Sequence, residues 1–248
     1  MIQIIPVPGL PEIQPGDDIA SLITKCLHDQ TCTIIHGDIF VIAQKIVSKA
    51  EGRIADLHEV IPSRRATEWA ADWNKDPRII ELVLRESKSI LRMERGIIIS
   101  ETQHGFVCAN AGVDASNTAE NAAVLLPEDP DESARALQLK LQESFAVPLG
   151  IIISDTFGRA WREGLVNVAL GVSGLPALID YRGQRDGEGK LLNATVIACA
   201  DELASAAELV MGKADRVPVV IVRGFRSDAP PGNAHDLIRP AERDLFRS

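Results

Sequence analysis

The segment GIIISDTFGRAWR, residues 150–162, carries the strongest fold signal in the chain, because consecutive isoleucines give way abruptly to polar residues. A short apolar run of this kind predicts a buried strand. We expect the strand to stop at Ser154, so that Asp155 and Thr156 lie where it opens onto a loop. Ligands commonly bind at strand ends in α/β sheets. A carboxylate and a hydroxyl at this place therefore predict a binding site.

The segments around this strand alternate between helix and strand patterns, which indicates a mixed α/β fold with several mixed sheets and surrounding helices. No repeat or linker divides residues 1–248, so we expect a single unit, with two intimately packed subdomains as the alternative. The predicted helices cover residues 19–28, 63–73, 77–87, 132–145 and 199–211. The predicted strands cover residues 38–43, 151–153 and 217–222, with a hairpin formed by 97–100 and 105–109 around a turn at 101–104.

The composition excludes several classes of protein. The net charge of −9 and the aromatic content of 4% argue against binding to nucleic acid. No apolar run approaches the roughly 18 residues of a membrane helix, and the first residues lack the pattern of a secretion signal. We therefore expect a cytoplasmic protein without a membrane partner. The four cysteines form no C-x-x-C pair, so we expect them to be reduced and mostly buried.

A second acidic segment is GVDASN, residues 112–117, which follows the predicted hairpin. Its Asp114 and Asn117 offer hard oxygen ligands. Mg²⁺ is often held by one or two carboxylates together with phosphate oxygens and water. Asp114 and Asp155 would suffice for such a site if their segments converge. The alternative is that each aspartate only caps a helix or forms a turn.

Cationic side chains near these segments are candidates for contacts with anions. Lys49 follows a predicted strand, although a lysine in that place is commonly just solvated. Arg159 and Arg162 lie beside Asp155 and are placed to hold an anionic substrate or a developing phosphoryl charge. Their alternative is an ion pair with Glu163. At the end of the last helix, Gly212 fits a nucleotide-binding loop and a simple helix cap equally well.

These segments together resemble a known family. The strings SKAEGR (48–53), NAGVDASN (110–117), SDTFGR (154–159) and ADELA (200–204) occur in the order and spacing of the coenzyme F420-0:L-glutamate ligases, also called F420 gamma-glutamyl ligases. The resemblance extends from Pro8 to Gly224. It implies the fold of that family and a GTP-dependent homodimeric enzyme that adds L-glutamate to coenzyme F420-0 through an acyl phosphate.

The resemblance also implies a two-metal site with Mg²⁺ or Mn²⁺, and K⁺ as a further ion. Asp114 and Asp155 correspond to ligands of one divalent ion, and Thr156 corresponds to a ligand of the second. Where archaeal relatives often show a pair of small hydroxyl residues, this chain has Gln44 and Lys45. The nucleotide contacts that the resemblance implies are Leu10, Pro11, Glu12, Ile13, Gln44, Lys45, Lys49, Asn117, Met211, Gly212 and Lys213.

Two other functions remain open at this point. A strand-end aspartate followed by threonine also occurs in metal-dependent phosphohydrolases, although Phe157 occupies the position of their second aspartate. A nucleotide-binding protein without catalytic activity is the other alternative. The chain has no Walker A sequence, so a triphosphate site in it must have a different design.

Overall fold

The structure, a computed structural model, describes residues 1–115, 121–213 and 215–246. The helices are α1 (Ile19–Asp29), α2 (Gln44–Ala50), α3 (Arg64–Trp73), α4 (Pro77–Glu86), α5 (Pro130–Phe145) and α6 (Cys199–Met211). The strands are β1 (Gln3–Pro6), β2 (Ile39–Ala43), β3 (Ile54–Asp56), β4 (Ser87–Glu94), β5 (Ile97–Thr102), β6 (Val107–Ala109), β7 (Ala122–Val124), β8 (Gly150–Arg159), β9 (Arg162–Ser173), β10 (Ile179–Asp180), β11 (Val196–Ile197) and β12 (Val219–Arg223).

The central sheet has the strand order β1-β12-β2-β8-β9. β2 and β8 are parallel, and β12 runs antiparallel to both β1 and β2. The carboxyl ends of β1, β2 and β8 therefore lie at the same edge of the sheet. This edge matters for function because loops and helices that leave parallel strands converge there.

Alternating apolar residues cover both faces of this sheet. Phe40 and Ile42 of β2 face a core formed mainly with α1 and α5, whereas Ile39 and Val41 face a core formed with α6. The period of two is expected for a strand that is buried on both faces. A third apolar cluster lies elsewhere, between α3, α4 and the sheet β4-β5-β6. Whether it marks a second subdomain stays a prediction.

Most predicted helices are confirmed. α6 has the predicted bounds, and α3 and α4 begin after the capping side chains of Ser63 and Asp76. The hairpin β5-β6 is also present, but Glu101 and Thr102 belong to β5 and not to the predicted turn. None of the described helices is long and apolar enough to cross a membrane. All four cysteines are free, and of these Cys108 and Cys199 are buried.

One prediction about the segment 150–162 is wrong. The strand that begins the GIIISDT segment does not stop at Ser154 but continues as β8 to Arg159. β9, which was not predicted from the sequence, pairs with it along this whole length. Hydrogen bonds from β9, which follows β8 after a two-residue turn, keep the polar residues extended, and the short apolar run does not by itself indicate this pairing. Asp155 and Thr156 therefore project from a strand and not from a loop.

Candidate functional site

Four segments with predicted site residues meet at the carboxyl edge of the central sheet. The loop 7–13 follows β1, α2 follows β2 directly, β8 extends past the edge, and the loop after α6 leads into β12. Main-chain hydrogen bonds join them, from Val7 N to Val219 O at 3.0 Å and from Ala43 N to Pro218 O at 2.8 Å. The topology thus gathers residues that are far apart in the sequence.

Asp155 and Asp114 are close enough to influence each other electrostatically. Burial raises the pKa of Asp155 to about 6, and the negative charge of Asp114 also acts to raise that pKa. The charges of Lys45 and Lys213 act in the opposite direction. Because the charges of these three residues all act on Asp155, the chain brings the two aspartates from distant segments to the same region of the protein.

The main chain holds Asp114 in place, and a lysine approaches its carboxylate. Asp114 exchanges two main-chain hydrogen bonds with Val124, at 3.0 and 2.8 Å. Lys45, the second residue of α2, places its Nζ 2.7 Å from Asp114 Oδ2. Asp114 is therefore part of a short β-bridge and not a helix cap, and its carboxylate points toward α2.

A second ion pair links α2 to the loop after β1. Lys49 Nζ donates to Glu12 Oε1. The Lys49 hydrogen bond and charge lower the pKa of Glu12, and the charge of Arg216 lowers it further. The Lys49 side chain is only 16% exposed, so it is not the solvated lysine of the alternative interpretation. Two of the predicted nucleotide-binding segments are thus in contact.

Thr156 lies at the centre of a polar network on the α6 side of the sheet. Its hydroxyl donates to Asn167 Oδ1 at 2.7 Å and accepts from Lys213 Nζ at 2.5 Å. Asn167 Nδ2 donates to Glu208 Oε2 at 2.9 Å, and Glu208 Oε1 lies 2.9 Å from Lys213 Nζ. The network therefore joins β8, β9, α6 and the loop that follows α6.

The sequence analysis predicts no role for Asn167 or Glu208, although each residue is unusual for its position in a strand or a helix. Asparagine is rare inside strands, and Asn167 stands between two valines of β9. A glutamate in the last turn of a helix opposes the helix dipole, and Glu208 stands in the last turn of α6. Each residue is locally unfavourable, which indicates that a tertiary contact determines it.

Three of the predicted nucleotide contacts have buried side chains. The side chains of Ile13 and Met211 are buried in the protein interior. Gln44 is also buried, where its Oε1 accepts from Ser48 Oγ at 2.8 Å and its Nε2 has no partner within the described residues. Gly212 ends α6 with a φ of +58°, and its amide donates to Glu208 O. Its role as a helix cap is confirmed, and it turns the chain so that Lys213 reaches Thr156.

Other predicted site residues lie away from the group formed by Asp114, Asp155 and Thr156. Arg159 and Arg162 flank the exposed turn between β8 and β9. Arg159 donates to the main-chain oxygens of Glu163 and Gly164, so it makes no ion pair with the Glu163 carboxylate. A rise of about 3.3 Å per residue places the Arg159 Cα roughly 13 Å from that of Asp155. Asn117 lies outside the described residues.

The donor set fits hard divalent cations. Asp114 and Asp155 present carboxylate oxygens, and Thr156 presents a hydroxyl oxygen whose proton already goes to Asn167. The described residues contain no group of three or more His, Cys, Asp or Glu side chains that could hold a metal ion. Two carboxylates and one hydroxyl would leave other coordination positions to phosphate oxygens and water, an arrangement that suits Mg²⁺ or Mn²⁺.

Comparison with known proteins gives a consistent result. The model of the family "F420-0:Gamma-glutamyl ligase" matches residues 9–224. The coenzyme F420:L-glutamate ligase of Methanothermobacter thermautotrophicus is 50% identical, with 99% of this chain and 99% of that protein covered. The enzymes of the same name from Methanopyrus kandleri and Archaeoglobus fulgidus are 47% and 40% identical. These alignments cover 99% of this chain and 98% and 96% of the relatives, respectively.

Proposed function

The chain belongs to the F420-0:gamma-glutamyl ligase family, and from this premise we propose that it joins L-glutamate to the terminal carboxylate of coenzyme F420-0 or a close deazaflavin precursor. GTP supplies the phosphoryl group that activates this carboxylate. The observation that carries the proposal is the electrostatic interaction of Asp155 with Asp114, Lys45 and Lys213 at the edge where the parallel strands end, together with the ion pair of Lys45 and Asp114.

In this proposal Asp114 and Asp155 hold one divalent ion, and Thr156 contributes to the second. When bound there, Mg²⁺ or Mn²⁺ would supply positive charge that neutralises phosphate oxygens and helps to orient the triphosphate. The fit of the site rests on the electrostatic strain within it. Burial and Asp114 both act to raise the pKa of Asp155, and a divalent cation held by these carboxylates would offset both effects.

The nucleotide is held by the segments around α2 and by the loop after α6. Lys49 and Lys213 provide positive charge for phosphate oxygens, while the main chain of Leu10, Pro11, Glu12 and Ile13 lines the approach. Such local cations are needed because the protein carries a net charge of −9, which disfavours an anionic nucleotide at long range. Arg159 and Arg162 lie further out, where they serve the anionic deazaflavin substrate.

The reaction has two steps. A carboxylate oxygen of the substrate attacks the γ-phosphorus of GTP, and GDP leaves with the electrons of the broken P–O bond. The amine of glutamate then attacks the acyl carbon, inorganic phosphate leaves, and the amine loses a proton as the amide forms. Both steps depend on positioning and charge neutralisation, so no protein nucleophile is required.

Mass spectrometry tests this function directly. Purified protein is incubated with coenzyme F420-0, L-glutamate, GTP and Mn²⁺ or Mg²⁺, and the products are examined for a glutamyl mass increment and for GDP. We expect both only in the complete mixture. GTP hydrolysis that is independent of glutamate would favour the phosphohydrolase alternative, and GTP binding without turnover would favour a non-catalytic nucleotide-binding protein.

Two further expectations accompany this proposal. The family resemblance favours a homodimer and a cytoplasmic location, and a requirement for K⁺ as an additional ion. Light scattering of the purified protein measures the mass of the assembly, for which we expect twice the 26.8 kDa of one chain. Replacing K⁺ by Na⁺ in the assay tests the ion requirement.

A further inference from the structure

The hydrogen bond of the Thr156 hydroxyl determines which of its atoms faces the site. A hydroxyl has one proton to donate and two lone pairs that accept. The proton of Thr156 goes to Asn167 Oδ1 at 2.7 Å, and one lone pair accepts from Lys213 Nζ at 2.5 Å. The hydroxyl oxygen is therefore available to cations, and its proton points away from them.

This direction depends on how the Asn167 side chain is oriented. An amide presents an acceptor on one side and donors on the other, so a reversed Asn167 would push its NH₂ group toward Thr156. Glu208 prevents the reversal, because an ionised carboxylate only accepts hydrogen bonds and its Oε2 takes the Asn167 Nδ2 proton at 2.9 Å. Asn167 is 4% exposed, so water cannot readily replace this partner.

Glu208 also holds the cation that contacts Thr156. Its Oε1 lies 2.9 Å from Lys213 Nζ, while Oε2 binds Asn167. The Lys213 side chain is 65% exposed and therefore has room to move. When another cation approaches Thr156, the ammonium group can withdraw from the hydroxyl and keep its bond to Glu208.

We propose that Asn167 and Glu208 are positioning residues, which keep a lone pair of the Thr156 oxygen directed at a divalent cation. Glu208 also keeps its ion pair with Lys213 when the ammonium group moves away from Thr156. This inference deepens the proposed function, since the incoming cation is the divalent ion assigned above to Thr156. Neither residue touches that ion; each acts through Thr156. Hydrogen-bonded partners of a metal ligand commonly change metal affinity by 10–100-fold when removed.

Binding of Mn²⁺ to the whole protein, followed by the electron paramagnetic resonance of free Mn²⁺, tests the inference without any turnover. The titration is made with and without a non-hydrolysable GTP analogue, and a blank with analogue alone is subtracted. Asn167→Leu removes the acceptor for the Thr156 proton without changing charge, and we expect the affinity for the Mn²⁺ ion assigned to Thr156 to fall about tenfold or more. Glu208→Gln no longer dictates the orientation of Asn167, and we expect a similar loss.

The double variant Asn167→Asp with Glu208→Gln provides the rescue. The new carboxylate at position 167 would still accept the proton of Thr156, and the new amide at position 208 would donate to that carboxylate and still accept from Lys213. The direction of every hydrogen bond to Thr156 and the net charge are thus preserved. We expect Mn²⁺ affinity within about threefold of the wild type. Ser205→Ala is the matched control, because Ser205 Oγ donates to the main-chain oxygen of Asn167 and leaves its amide orientation untouched.

The outcomes separate this inference from the function on which it rests. Wild-type Mn²⁺ affinity in Asn167→Leu and Glu208→Gln would overturn the inference and leave the ligase proposal standing. A double variant as weak as Glu208→Gln would also overturn it, since it would indicate that the Glu208 carboxylate binds the ion directly. Absence of Mn²⁺ binding by the wild type would overturn the metal part of the proposed function and this inference with it. If Asn167→Leu does not fold, the Mn²⁺ affinities of Glu208→Gln and of the double variant decide whether the inference stands.

Discussion

Two parts of the β8-β9 hairpin differ although they belong to the same pair of strands. In the middle of the hairpin, called its base below, Asp155, Thr156 and Asn167 are partly or fully buried and have polar or charged partners from other segments. At its tip, Arg159 and Arg162 are exposed, and Arg159 contacts main-chain oxygens of its own turn. The base is covered by α6, α2 and the segment around Asp114, whereas the tip projects beyond them.

This difference teaches that proximity in sequence does not make one site. Asp155 and Arg159 are only four residues apart, but Asp155 interacts electrostatically with Asp114, Lys45 and Lys213, which come from three other segments. Charges act strongly where protein replaces water and weakly where water surrounds them. We therefore expect the base to set the rate of turnover and the tip to modify substrate affinity.

The largest effect should follow from Asp155→Ala. If Asp155 holds a divalent cation as proposed, loss of its carboxylate should reduce kcat by at least about a thousandfold, since charge neutralisation is a main contribution to phosphoryl transfer. Circular dichroism should show an intact fold. Steady-state assays of GDP and glutamylated product measure the rate. Asp180→Ala, at an exposed aspartate paired with Arg182, is the control and should keep a normal rate; near-normal turnover in Asp155→Ala would contradict the metal assignment.

The second effect concerns stability in metal-free protein. The folded-state pKa of Asp155 is raised from 3.8 to about 6, so its ionisation costs the folded state more than the unfolded chain. This cost is absent below pH 3.8 and complete above pH 6. Asp155→Asn should therefore raise the free energy of unfolding by about 1–3 kcal/mol at about pH 8, and the gain should disappear as the pH falls toward about 4.

Thermal unfolding in the presence of EDTA measures this pH dependence. Asp180→Asn is the matched control, because the Arg182 hydrogen bond lowers the pKa of Asp180 to about 2, which is the opposite direction. That variant should gain no stability at alkaline pH. If Asp155→Asn destabilises the metal-free protein under the same conditions, the carboxylate is not strained by burial and by Asp114.

A smaller effect is expected at Lys49, which lies between the base of the hairpin and the loop after β1. Lys49→Ala should raise the KM for GTP about tenfold with little change in kcat, because it removes the charged contact to phosphate that we propose and breaks the ion pair with Glu12. Initial rates at varied GTP concentration give both constants. Lys140→Ala, which removes an exposed ion pair with Asp18, should leave KM unchanged. An equal rise of the KM for GTP in both variants would indicate that only the overall charge of the protein matters, and not the position of Lys49.

The smallest effect is expected at the tip. Arg162→Ala should raise the KM for coenzyme F420-0 about threefold and leave kcat and the KM for GTP unchanged, since exposed charges contribute little. Kinetics with varied coenzyme F420-0 measure it, with Arg182→Ala as an exposed control. A loss of kcat as large as that of Asp155→Ala would remove the distinction between base and tip.

The sequence predicts local structure well where capping residues and periodicity agree. The bounds of α6 are predictable because alanine and leucine recur at helical spacing and Gly212 ends the pattern. β1 is not predicted because its partner β12 lies far away in the sequence. β4 and β9 pair with neighbouring strands, but their polar residues interrupt the apolar pattern on which the prediction of a strand depends. The continuation of β8 through Asp155 depends on β9 and could not be predicted from the apolar run alone.

The candidate site shows the same limit. Asp114, Asp155 and Thr156 were found from polar residues next to apolar strands and from the family resemblance. Their convergence could not be predicted from spacing, because it results from the order of strands in the sheet and from the bridge between Asp114 and Val124. Asn167 and Glu208 were visible only as residues that oppose local preference, and their meaning required the contact between β9 and α6.

The central claim is that Asp114 and Asp155 together hold a divalent cation. Crystals of the wild-type protein grown with Mn²⁺ and a non-hydrolysable GTP analogue allow the ion to be located by its anomalous scattering. We predict a peak between the two carboxylates, with an oxygen of each within coordination distance. An anomalous peak bound elsewhere in the protein, with both carboxylates uncoordinated, would contradict this claim.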